Sequence, residues 1–168
     1  MPALTPSQTI GPFLHIELPY EGEDQLVTPN HAGALRLLGT ITDGEGDAVD
    51  DALVEIWQAN AAGRYAHPED DREDVPLEDG FTGFGRCATD AEGRFEFTTI
   101  KPGQVPGPDD HRQAPHIDVS IFARGLLNRL VTRIYFPDEE EANAADPVLS
   151  AVDPERRATL VEIGRAHV

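Results

Sequence analysis

His116 and Asp118 stand two residues apart in the run Ala114-Pro115-His116-Ile117-Asp118-Val119-Ser120-Ile121-Phe122, whose alternation reads as a β-strand. Successive side chains of a strand point to opposite faces, so His116, Asp118 and Ser120 share one face while Ile117, Val119 and Ile121 turn to a core. An imidazole and a carboxylate at that spacing can reach one metal ion, and non-haem iron sites use such a pair with a second histidine. A histidine at position 118 would supply that second imidazole, but an aspartate stands there. The plainer reading is structural: Asp118 bonds locally or pairs with an arginine, and His116 is a satisfied, half-buried histidine.

The elements that position this strand are short. Fifteen glycines and fourteen prolines in 168 residues cut the chain into pieces that suit a β-rich fold. Leu35 to Thr42 reads as a strand, Asp43-Gly44-Glu45-Gly46-Asp47 as a turn, and Ala52 to Trp57 as the next strand. A turn at Asp90-Ala91-Glu92-Gly93 leads into Arg94 to Thr99, with Phe95 and Phe97 expected inward, and Arg129 to Phe136 reads as a partner of the His116 strand. Loops of roughly residues 61 to 82 and 101 to 115 are long enough to be functional or mobile. Asp153-Pro154-Glu155 reads as a helix start, with Asp153 as cap and Pro154 in the first turn.

Seven stretches occur in one order along the chain: Thr5 to Phe13, Val54-Glu55-Ile56-Trp57-Gln58-Ala59-Asn60, Gly63-Arg64-Tyr65, Gly85 to Asp90, Thr99-Ile100-Lys101-Pro102-Gly103, the His116 strand, and Thr132 to Phe136. Together they resemble the intradiol ring-cleaving dioxygenases from Thr5 to about Leu160, and within them the alpha-type chain of members built from homologous alpha and beta chains. The resemblance implies an all-β fold, a transthyretin-like antiparallel β-sandwich with long loops and a short C-terminal helix. In that family a ferric ion is held by two tyrosinates and two histidines, anionic oxygen donors suiting a hard ion.

Matched residue by residue, the first tyrosine falls on Tyr65 and the first histidine on His116. Val105 stands at the second tyrosine's place and Asp118 at the second histidine's. The arginine that catalytic chains carry three residues before the first histidine reads as Gln113. The resemblance therefore implies that Tyr65, Val105, His116 and Asp118 are vestigial ligand positions, that no catalytic residue lies in this chain, and that Fe(III) resides in a partner beta subunit. One alternative is a self-sufficient dioxygenase with an altered metal site, using Tyr65, His116 and Asp118 with His67 or His111 as a fourth ligand. Another is a stand-alone transthyretin-like binding module.

The resemblance also implies that the N-terminal arm, Thr9-Ile10-Gly11-Pro12-Phe13, lines the substrate cleft of the beta chain. Thr9, Gly11, Pro12 and Phe13 are thus candidate substrate-binding residues. Gly11-Pro12 is stiff and extended, with a glycine that admits a ligand close to the backbone, and Phe13 keeps the ring of the tyrosine often found there without its hydroxyl. Arg133 is the other candidate, able to grip a benzoate carboxylate bidentately; its plain alternative is a strand arginine paired with an acid. The implied partners are a homologous beta subunit in an αβ hetero-oligomer, protocatechuate and O2.

Thirty-one acids against thirteen bases leave a formal charge of −18 and no basic stripe, which excludes a nucleic-acid-binding role. An anionic substrate would have to be drawn in locally, by arginines or by a more basic partner. Glu139-Glu140-Glu141 and the run Glu69 to Asp74 read as solvated loop or helix-end surface. Cys87 is the only cysteine, so no intrachain disulfide forms, and a reducing cytoplasm is expected. The chain shows neither a signal-peptide pattern nor an apolar run near the ~20 residues that span a membrane. There is no glycine-rich phosphate loop, and the Ser, His and Asp residues of a hydrolase are only scattered. The expected organisation is one domain over residues 1–161, with an arm at 1–15 and a sandwich core at about 33–136; residues 162–168 read as a non-native tail replacing further strands.

Overall fold

A computed structural model describes residues 4–11 and 14–161; Pro12 and Phe13 of the arm and the 162–168 tail lie outside the described residues. Two antiparallel sheets face each other across one core. In chain order the elements are α1 (Leu14–Glu17), β1 (Ala34–Thr40), β2 (Leu53–Trp57), β3 (Phe84–Ala88), β4 (Arg94–Ile100), β5 (Val105–Pro106), β6 (Arg112–Gln113), β7 (His116–Phe122), β8 (Leu130–Tyr135), α2 (Glu140–Ala145), α3 (Pro147–Ala151) and α4 (Pro154–Arg157). One sheet is the β1–β4 pair, the other runs β3-β2-β7-β8, and β5–β6 form a small separate ribbon.

The alternation of the strands builds the core directly. Val54 and Ile56 of β2 and Ile117 and Val119 of β7 pack with Leu37 of β1 and Phe97 of β4 in one buried cluster. Each such side chain taken from water contributes about 1.5–3 kcal/mol. Leu26 and Val27, before β1, and Phe136, after β8, close the ends of the same cluster. Phe97 is fully buried, as expected, but Phe95 is only half-buried. Its ring lies across its cross-strand partner Gly39, where an added Cβ would stand 2.3 Å from the ring.

The expected strands are present with ends shifted by a residue or two, and β3 is an addition. The C-terminal segment departs further, since the single expected helix is one of three. Asp153 does cap α4, accepting from the Glu155 N–H at 3.0 Å, with Pro154 in the first turn. Asp146 caps α3 in the same way, accepting from Val148 at 2.8 Å and Leu149 at 2.7 Å. Leu149 then packs with Ala114 and Tyr135 in a second, smaller cluster, which fastens the helices to the end of the four-stranded sheet. Among the described residues no helix is long and apolar enough to cross a membrane.

Candidate functional site

Register assembles the site on the outer face of the four-stranded sheet. Trp57 of β2 lies opposite Asp118 of β7, which lies opposite Arg133 of β8, while His116 is paired with Tyr135. Period-two alternation puts all five side chains on the face turned away from the core. Tyr65 joins them from the loop after β2, its ring stacked on Trp57 at 5.6 Å with the planes 4° apart.

The loops that carry Tyr65 and Val105 touch through their backbones. Gly63 has φ +81°, and a Cβ there would sit 2.1 Å from the Gln104 carbonyl oxygen; a Cβ at Gly103 would lie 2.5 Å from the Ala61 oxygen. Only glycine fits either place. The Asn60 carbonyl accepts from both Gly63 and Gly103 N–H at 2.9 Å, so one buried residue ties the loops together. Tyr65 and Val105 each follow two residues after a clamp glycine.

His116 is 4% exposed. Its Nδ1 donates to the Ala114 carbonyl oxygen at 2.7 Å. Its Nε2 is buried with no hydrogen-bond partner among the described residues and stands 3.7 Å from Asp118 Oδ2. The other Asp118 oxygen accepts from Arg133 Nε at 2.7 Å. Burial works to raise the Asp118 pKa, but the neighbouring His116 ring and the Arg133 charge outweigh it and hold the carboxyl below the ordinary aspartate range. Arg133 Nη1 donates to Gln113 Oε1 at 2.7 Å and reaches Tyr135 Oη at 3.5 Å. The Tyr135 hydroxyl donates to Asp146 Oδ1 at 3.3 Å, and Asp146 Oδ2 accepts from the Ala114 N–H at 2.8 Å. A continuous polar chain thus runs from His116 to the cap of α3.

These residues do not fit a ferric centre of the two-tyrosinate, two-histidine kind. Val105 is buried in β5 opposite Gln113 and offers only hydrocarbon. Tyr65 is held as a neutral phenol, its pKa raised by burial and then by the Asp118 charge. The Asp118 carboxylate is engaged by Arg133. His67 meets Trp57 edge-on at 6.0 Å and lies exposed, while exposed His111 leads into β6. Among the described residues no group of three or more His, Cys, Asp or Glu side chains could hold a metal ion.

Two cavities flank the Asp118–Arg133 pair. One of about 460 Å³ is lined by Trp57, Tyr65, His67, Asp70, Arg72 and Pro106. Arg72 holds the Asp70 carboxyl down to about 2, and Asp70 in turn accepts the Tyr65 N–H at 2.8 Å. The other, of about 490 Å³, is walled by Val131, Val148, Val152 and Leu160, with Arg133 and Arg156 at its margin.

The arm lies elsewhere. Thr9 Oγ1 accepts from the Gly125 N–H at 2.7 Å, just past the end of β7 opposite to His116. Seven residues of strand, roughly 20 Å, separate those ends. Gly11 is exposed, and its carbonyl accepts from Leu14 N–H at 3.2 Å; Pro12 and Phe13 lie outside the described residues. Asp146 and Tyr135 were not singled out by sequence reasoning, although Asp146-Pro147 repeats the Asp-Pro helix signature found at Asp153-Pro154.

Comparison with known proteins settles the family. The model of a family described as Dioxygenase matches residues 23–165. The protocatechuate 3,4-dioxygenase alpha chain of Burkholderia cepacia is 45% identical over 94% of this chain and 82% of its own length. The chain belongs to the intradiol dioxygenase family. The beta chain of the B. cepacia protein is 46% identical over a shorter span, 73% of this chain and 52% of its own. Among solved structures, the dioxygenase domain of a dioxygenase carbohydrate-binding protein fusion from Streptomyces sp. SirexAA-E superposes with a TM-score of 0.63 at 27% identity, covering 98% of this chain and 91% of that one. Intradiol dioxygenases are iron enzymes, and this chain shares their fold.

Proposed function

We propose that this chain is the non-catalytic alpha subunit of a protocatechuate 3,4-dioxygenase, packed on a homologous beta subunit whose substrate cleft it completes. The assembly inserts both atoms of O2 into protocatechuate and opens the ring between its hydroxyls, giving 3-carboxy-cis,cis-muconate. The observation that supports the reading is the donor set: Val105 is buried hydrocarbon and Asp118 is bound by Arg133, at positions the resemblance assigns to iron ligands, in a chain matching an alpha chain over 94% of its length. Fe(III) is then a property of the beta subunit, in a cytoplasmic assembly.

The arm supports this reading. It is exposed and anchored through Thr9 at the end of the sandwich away from Tyr65 and His116. From there Thr9 and Gly11 serve a neighbour's cleft rather than this chain's own face, a role extended to Pro12 and Phe13 by their place in the arm, whereas Arg133, held by Asp118 on the outer face, takes the plainer part of a strand arginine paired with an acid. The test is co-expression of a tagged chain with the beta chain of the same organism. Expected are equimolar co-purification, iron in proportion to the beta chain, and O2 uptake on protocatechuate that disappears when either chain is omitted. The unpartnered Nε2 of His116 favours one rival, an altered metal site in this chain alone. Stoichiometric iron and ring cleavage by the isolated chain, lost in Asp118→Ala, would establish that rival instead.

A further inference from the structure

The hairpin formed by β7 and β8 departs from the acidic character of the rest of the chain. From Val119 to Phe136, eighteen residues hold Arg124, Arg129 and Arg133 and no acid, so all thirty-one acidic side chains lie elsewhere. The hairpin turn sits in the middle of this stretch and is apolar at its surface. Leu127 is 60% exposed, Leu130 54% and Val131 65%, three large apolar side chains within five residues. Arg124 is paired with Asp51 and Arg133 with Asp118, whereas Arg129 makes no hydrogen bond or ion pair among the described residues. Exposed leucine and valine beside an unpaired arginine are the composition of an interface rather than of a solvated turn.

The surroundings of the turn point to its partner. β8 is the edge of its sheet, pairing with β7 and, at Tyr135 at the far end from the turn, bridging to Val161. Leu130 and Val131, at the turn end, point to opposite faces, so both sides of that edge are apolar. An added Cβ at Gly125 would meet nothing within 4 Å, and the turn therefore stands clear of its own chain. The arm lies against it, with Thr9 Oγ1 accepting the Gly125 N–H at 2.7 Å. Arm and turn thus present one continuous surface. A second copy of this chain is a poor occupant, since it would bring two formal charges of −18 together.

We propose that the turn of the β7–β8 hairpin, with the arm laid against it, is the surface by which this chain docks on the beta subunit. Leu127, Leu130 and Val131 enter an apolar socket that straddles the edge of β8, and Arg129 meets a carboxylate at the rim of that socket. This rests on the proposed alpha-subunit function and adds which part of the chain makes the assembly.

The test measures the dissociation constant of the αβ complex by diluting co-expressed, co-purified complexes, together with the melting temperature of the isolated chain. Leu127→Asp and Val131→Asp should each weaken assembly by about thirtyfold or more, the loss of a buried apolar anchor. Arg129→Ser should weaken it roughly three- to tenfold, an effect that shrinks in about 0.5 M salt. Leu77→Asp, an equally exposed leucine in the loop after Tyr65, should leave assembly unchanged. None of these changes should move the melting temperature of the isolated chain. If the parent assembles and the hairpin variants assemble as tightly as Leu77→Asp, the docking surface is overturned and the subunit reading stands. Lowered melting of the isolated chain with unchanged assembly would overturn it too, because the apolar side chains would then be covered by this chain itself. A dimer of the isolated chain that the variants dissociate, beside an intact αβ complex, would give the surface to a second copy instead. Failure of the parent chain to co-purify with the beta subunit would remove the subunit reading and this surface with it.

Discussion

The two faces of the β3-β2-β7-β8 sheet obey different rules. The inner face, with Val54, Ile56, Ile117 and Val119, is satisfied by volume and hydrophobicity, and many apolar sets of the right size would serve. On the outer face, Asp118, Arg133, Tyr135 and Asp146 are joined by individual hydrogen bonds, with His116 beside Asp118 at 3.7 Å, so each bonded side chain is specified by its neighbour. The same strands carry both faces. The inner face holds the sheets together, while the outer face fixes particular side chains in place.

Substitutions along β7 and its partners test that contrast. Ile117→Ala, at a position with no exposure, should destabilise by about 4 kcal/mol, read by chemical denaturation. On the outer side, Asp146→Ala should cost roughly 3 kcal/mol, since it strands the Ala114, Val148 and Leu149 N–H groups and the Tyr135 hydroxyl. If it instead proves as mild as an ordinary surface change, the network is ornament and the contrast fails.

Asp70, which braces Tyr65 over the outer face, should contribute on the order of 1 kcal/mol. Its folded pKa lies at about 2 against an ordinary 3.8. That contribution is complete above about pH 4 and lost as the pH falls through 2, so melting curves of Asp70→Asn and the parent should converge at the acid end. Ser120→Ala, on the outer face but outside the network, should stay within about 0.5 kcal/mol. A large effect there would mean that the outer face is tightly specified beyond its hydrogen bonds.

Legibility followed the same divide. The inner strands could be read because β2, β4 and β7 alternate apolar and polar residues. β3 escaped because its inward positions are Gly85, which presents no side chain, and the small Cys87; Leu26 packs over Gly85, 2.4 Å from where a Cβ would stand. The His116–Asp118 face could be read from spacing, and the Asp118–arginine pairing was one of the options left open. The identity of that arginine depended on strand register, which pairs Asp118 with Arg133 across β7 and β8. Asp146 was hidden for another reason: its partners lie up to 32 residues away, and no local pattern announces them.

The glycine clamp between Gly63 and Gly103 separates the geometry of the two loops from the identity of the side chains they carry. It sets the separation of residues 65 and 105 through backbone alone, whatever side chains those positions carry. A tyrosine placed at 105 would therefore emerge from the same loop, at the backbone separation from Tyr65 that the clamp already sets, and side-chain identity on this face can change without any change of architecture.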